Sequence, residues 1–98
     1  MSYLVTVTFD IENATSQNYI DISNSFQRLG LFTFIKGHDN RNIDLPSNTY
    51  SGEFNGISVE NIRNDICDRV QRAFINLKLQ AKIYVVVGGD WGWGMRTT

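Results

Sequence analysis

An α+β sandwich, with two helices on one face of a four-stranded antiparallel sheet, is the fold class that the sequence predicts. Three observations predict it. Residues 3–11, YLVTVTFDI, alternate strictly between the two faces of an extended chain, the period of a half-buried strand. Two segments, one after Ser16 and one after Ser58, carry apolar residues at helical spacing. Three further runs, at 31–36, 48–55 and 83–87, are rich in aromatic or β-branched residues and read as strands. The order strand, helix, strand, strand, helix, strand is the split βαβ, ferredoxin-like pattern. Right-handed crossovers then place both helices on one side and the first and third strands at the centre.

In the first strand Tyr3, Val5, Val7, Phe9 and Ile11 face the core, while Leu4, Thr6, Thr8 and Asp10 face away. Ser16 is the expected N-cap of the first helix. Tyr19, Ile22, Phe26 and Leu29 form its apolar stripe, and Gly30 is its expected stop. Residues 37–47, GHDNRNIDLPS, read as a polar loop, longer than a hairpin needs. In the strand at 48–55, Tyr50 and Phe54 point inward and Thr49, Ser51 and Glu53 outward. Gly52 lies between them, where a helix could approach closely. Ser58 caps the second helix, whose stripe is Val59, Ile62, Ile66, Val70, Ala73, Phe74 and Leu77, with Cys67 flanking it as packing. In the last strand Ile83, Val85 and Val87 face the helices. Residues 88–98 follow as a tail or an extra strand.

With 98 residues starting at Met1, the chain reads as one complete small domain, spanning 1–98. A chain of this size buries only about 60–65% of its unfolded surface, so association would help it. The net charge of −1 argues against strong non-specific attraction to nucleic acid but permits a local basic patch. The single Cys67 rules out an internal disulfide, and one Cys with one His disfavours structural zinc. No signal peptide or membrane span is visible, so a cytoplasmic location and no membrane partner are expected.

The sheet face opposite the helices is the functional question. Its expected residues are mixed and small. Aromatic rings on the central strands face inward, which disfavours an RNA-recognition motif. A two-fold dimer across this face, with Thr6 and Thr8 in the interface, would bring two Asp10 carboxylates together. They would repel unless a proton or a divalent metal lay between them. Asp10 is thus the candidate catalytic and metal-holding residue; the plainer reading is a strand end. The tail GGDWGWGMRT alternates Trp91, Trp93 and Met95 with glycines. Such a ribbon can lay its rings on this chain's own sheet or on a partner's. Stacking of bases on its indoles, with Arg96 on a phosphate, is the other use. Lys36, His38 and Arg41 in the long loop are further candidates for phosphate contacts, and histidine suits acid–base chemistry near neutral pH.

VTVTFDI at 5–11, RLGLFTF at 28–34, LPSNTY at 45–50 and AKIYVVV at 81–87 together carry a resemblance across most of the chain. The chain resembles the small ferredoxin-like nucleases: the CRISPR-associated adaptation endonuclease group, VapD, and the type V antitoxin endoribonuclease GhoS. The similarity to GhoS is greatest around FDI and LPSNTY. The resemblance implies a homodimer that cleaves RNA or DNA, with magnesium or manganese in the CRISPR-associated members. There the strand-end aspartate, here Asp10, approaches its twin and a C-terminal strand crosses to the partner. It points to a small nuclease-like or RNA-binding regulator of toxin–antitoxin type. A non-catalytic homodimeric module that captures a protein partner is the alternative. The chain departs from the CRISPR-associated pattern in lacking arginines after the aspartate, where it has ENATSQN, and in its double-tryptophan tail.

Overall fold

The computed structural model describes residues 2–98. Its elements in chain order are β1 (Ser2–Ile11), α1 (Ser16–Leu29), β2 (Phe34–Lys36), β3 (Asn42–Asp44), β4 (Thr49–Asn55), α2 (Val59–Asn76) and β5 (Ala81–Gly88). This is a mixed α+β architecture. β1 lies between β4 and β5 and runs antiparallel to both.

The main sheet is three strands wide, where four were expected. Of the segment 31–36, Phe32 alone pairs by hydrogen bonds with the edge of β4, as an isolated antiparallel bridge to Ser51. Phe32 N–H donates to Ser51 O at 2.9 Å and Ser51 N–H to Phe32 O at 2.8 Å. Phe34–Lys36 pairs instead with Asn42–Asp44, inside what the sequence presents as a loop. The turn between them explains the change. Asn40 adopts φ 65°, a left-handed conformation that asparagine tolerates. Gly37 N–H donates to Arg41 O at 2.9 Å, which closes a short hairpin. Local closure of this kind has a small entropy cost and commits the ladder of β2 to β3.

Helix ends follow side-chain chemistry. Thr15, not Ser16, caps α1. Its Oγ1 accepts from Asn18 N–H at 3.2 Å, while Asn18 Oδ1 accepts from Thr15 N–H at 2.8 Å. Two orphan donors are satisfied at once, which Ser16 cannot match one residue later. Gly30 ends α1 in the left-handed region, at φ 92°. Ser58 caps α2, its Oγ accepting from Asn61 N–H at 3.1 Å.

Both helices cover the face built from Tyr3, Val5, Val7, Phe9 and Tyr50, all buried. Ile22 and Phe26 from α1, with Ile62, Ile66, Val70 and Phe74 from α2, close the core. Burial of each such side chain contributes about 1.5–3 kcal/mol. Phe9, Phe26, Tyr50 and Phe74 meet ring to ring, mostly edge to face. The close approach expected at Gly52 is to the end of a helix: a Cβ there would stand 2.1 Å from the Gly30 carbonyl oxygen.

Two further expectations need correction, and one alternative is resolved. Ser51 belongs to the open face but is buried, its Oγ donating to Val5 O at 3.1 Å. Cys67 is exposed, because α2 buries only the narrow stripe through Ile66 and Val70. Of the tail and the extra strand, the C-terminal residues form the tail: beyond Gly88 the chain has neither helix nor sheet. Among the described residues no helix is long and apolar enough to cross a membrane.

Candidate nucleic-acid interface

The open face of the sheet is laid out in cross-strand rows. Thr8 sits between Thr49 and Tyr84, Thr6 between Ser51 and Val86, and Leu4 between Glu53 and Gly88. Tyr84 and Val86 are exposed there, as the alternation predicts. Thr6 and Thr8, expected in an interface, therefore lie beside an uncovered apolar strip.

β5 ends opposite Leu4, so the tail leaves the sheet at the Leu4 end. It then runs to the β2–β3 hairpin. Trp91, Trp93, Met95 and Arg96 from the tail and Lys36 and His38 from the hairpin line one solvent-open groove. These residues are some 50 or more positions apart in sequence, and the fold brings them together. Lys36 and Arg96 bring two formal positive charges to this groove in a chain of net charge −1, a concentration that favours anions locally.

Arg41 does not join them. Its Nε donates to Asp39 Oδ2, and its backbone N–H donates to Asp39 Oδ1 at 3.2 Å. Asp39 also lines the groove. The Arg41 side chain first, then its backbone N–H, holds the Asp39 carboxyl below the usual carboxylate range. The Asp39 charge is thus largely met by Arg41, which leaves Lys36 and Arg96 as the groove's cations without an acidic partner among the described residues.

The two indoles are each 39% exposed. Among the described residues neither stacks on another aromatic ring. Among the described residues the tail from Asp90 onward makes no hydrogen bond to the body of the domain; Arg96 Nη1 donates to the adjacent Met95 carbonyl at 2.9 Å. The indoles alternate with Gly92 and Gly94, and a Cβ on Gly92 would touch nothing within 4 Å. The segment is held by its rings, with space around the backbone.

Asp10 is elsewhere. It lies six residues along β1 from Leu4, or about 20 Å at the usual strand rise. It is exposed and directly opposite Lys82 of β5. Ile11, Glu12 and Gln80 share its shallow depression. The arrangement sets Asp10 apart from the groove that unites Lys36, His38, Arg96 and the tail.

Sequence reasoning gave no site role to Phe32, Phe34 or Glu53, the last of which it placed on the open face; all three line one depression with the indoles. The signal was present in part: Phe32 and Phe34 alternate, and Glu53 shares a parity with Ser51. Only the single bridge to Ser51 shows which surface the phenylalanines join. Compared with known proteins, the chain matches no family model and no curated protein.

Proposed function

We propose that this chain binds single-stranded RNA in the groove between its tail and the β2–β3 hairpin, as a regulatory protein of the toxin–antitoxin type to which its sequence resemblance points. The convergence of two exposed, unstacked indoles with Lys36, His38 and Arg96 carries the RNA-binding reading. Cations neutralise phosphates and release counterions. Exposed rings stack unpaired bases, worth about 1–3 kcal/mol per base. A duplex hides its base faces, so stacking of this kind selects single strands. With a net charge of −1, long-range attraction is weak, and stacking must supply much of the affinity. The same reading treats the architecture as a ferredoxin-like sandwich whose fourth strand has shrunk to the Phe32 bridge. The strand order β5, β1, β4, with Phe32 on the far edge, supports it.

Cleavage at Asp10 is not part of the proposal. Magnesium and manganese favour near-octahedral sites of about six oxygen ligands. One chain offers the Asp10 carboxylate with Glu12 nearby, and sets the Lys82 ammonium opposite. No group of three potential metal-holding side chains occurs among the described residues. The residues of one chain alone do not complete the ion's ligand set, and no catalytic step is derived through it.

Titration with a uridine octamer at low salt, followed by tryptophan emission, tests the binding. Saturable quenching is expected. Its log K should fall with log salt at about −0.7 for each phosphate contacted, and a duplex of equal length should bind more weakly. Unchanged emission and no binding by anisotropy would sink the reading.

A further inference from the structure

Behind the indoles lies a second depression of about 480 Å³, within the rough range of 300–1,000 Å³ for ligand-holding clefts. Trp91 and Trp93 line both depressions, and so does Lys36. Phe32 and Phe34 add aromatic surface to the inner one, their ring centroids 5.3 Å apart, and Leu4 adds aliphatic surface. Four aromatic side chains around one slot suit a flat, apolar-faced ligand. One acidic side chain lines the slot: Glu53, opposite Leu4 on the central strand. Among the described residues Glu53 has no ion pair or side-chain hydrogen bond, although Lys36 lines the same slot. A carboxylate with open acceptor capacity is therefore set at the edge of an aromatic cleft, next to a groove that suits phosphates.

We propose that this slot takes one unpaired base of the bound RNA and that Glu53 selects guanine. The inference rests on the RNA-binding reading above and adds base specificity to it. A nucleotide's phosphate would lie with Lys36 and Arg96 in the outer groove, and its base would pass beside the indoles into the slot. The base faces need only apolar contact, whereas the polar edge needs partners. An ionised carboxylate only accepts hydrogen bonds. Guanine presents two adjacent donors, N1–H and the N2 amino group, which match the two carboxylate oxygens. Adenine and cytosine present one amino group beside an acceptor nitrogen. Uracil presents a single N–H between two carbonyl oxygens, which repel the carboxylate. Charge-assisted, paired hydrogen bonds of the guanine kind are the stronger and more directional ones. The expected order is guanine first, adenine and cytosine between, uracil last.

The test compares four RNA octamers, all uridine or uridine with one central guanosine, adenosine or cytidine, on the intact chain and on Glu53→Gln. Glu53 is exposed, so the variant keeps the fold, and its melting temperature checks this. The guanosine oligomer should bind the intact chain roughly 5- to 100-fold more tightly than the uridine one. Glu53→Gln should remove most of that preference without weakening uridine binding. Equal affinity for all four oligomers, or a guanosine preference that survives Glu53→Gln, overturns the assignment of Glu53 while RNA binding stands. Failure of every oligomer to bind the intact chain overturns RNA binding itself, and the base specificity with it.

Discussion

Two groups of aromatic residues in this chain are put to opposite uses. Phe9, Phe26, Tyr50 and Phe74 are at most 5% exposed and touch one another with ring centroids 4.8–5.8 Å apart. Trp91 and Trp93 are each 39% exposed and, among the described residues, stack on no ring. The first group stands on strands and helices whose backbone is already hydrogen-bonded, so its burial adds to a single cooperative core. The second stands on a segment that, beyond Gly89, makes no hydrogen bond to the body among the described residues. Ordering a residue costs about 1–2 kcal/mol of entropy, and partial ring burial opposes that cost in the tail. Such a segment belongs to the low-stability end of a structure, where ligand-binding elements are drawn. The chemistry of a ring is the same in both places; the backbone beneath it decides whether the ring holds the fold or meets a ligand.

The sharpest way to break this contrast is Phe26→Ala. Phe26 is fully buried and packs against Phe9, Tyr50 and Phe74, so the loss should be about 3–5 kcal/mol. At about 4–8 °C per kcal/mol for a domain of this size, thermal melting should fall by well over 10 °C. A shift of only a few degrees would mean that the core is not where the stability lies. A smaller effect should separate the groove's cations. Lys36→Ala and Arg96→Ala should each flatten the salt dependence of RNA binding by about 0.7 in log–log slope, with melting unchanged. Arg41→Ala should leave the slope as it is, since Arg41 is held by Asp39. Asp39 has a lowered folded-state pKa, so the pair is intact at neutral pH and is lost only as the pH falls through that lowered value. A change in slope for Arg41→Ala at neutral pH would show that Arg41 reaches phosphate after all.

Much of the sandwich was legible in the sequence because its signals are local. The alternation of β1, the stripe of α2, the Gly30 stop and the Ser58 cap all rest on neighbours within a few positions. Even the tight approach at Gly52 could be read from a glycine set among inward-facing rings, although its partner, the Gly30 carbonyl, could not. The choice between Thr15 and Ser16 needed the reciprocal bond from Asn18. The fate of 31–36 was not legible, since its competitors for pairing are β3, a few residues away, and β4, which is paired only through Phe32. The site divides in the same way. Lys36, His38, Arg96 and both tryptophans stand out by composition, but their meeting is a tertiary event. Asp10 stands out as a strand-end carboxylate; the Lys82 opposite it depends on the register of β5, which no local pattern fixes.

The most direct test of the account pairs two readings on one protein, the double variant Trp91→Ala, Trp93→Ala. Its thermal melting should stay far nearer to that of the parent chain than Phe26→Ala does, while its affinity for a uridine octamer falls at least about fivefold, as the loss of stacking on even one base would cause. Melting that collapses as it does for Phe26→Ala, or RNA affinity that survives the loss of both indoles, would contradict it.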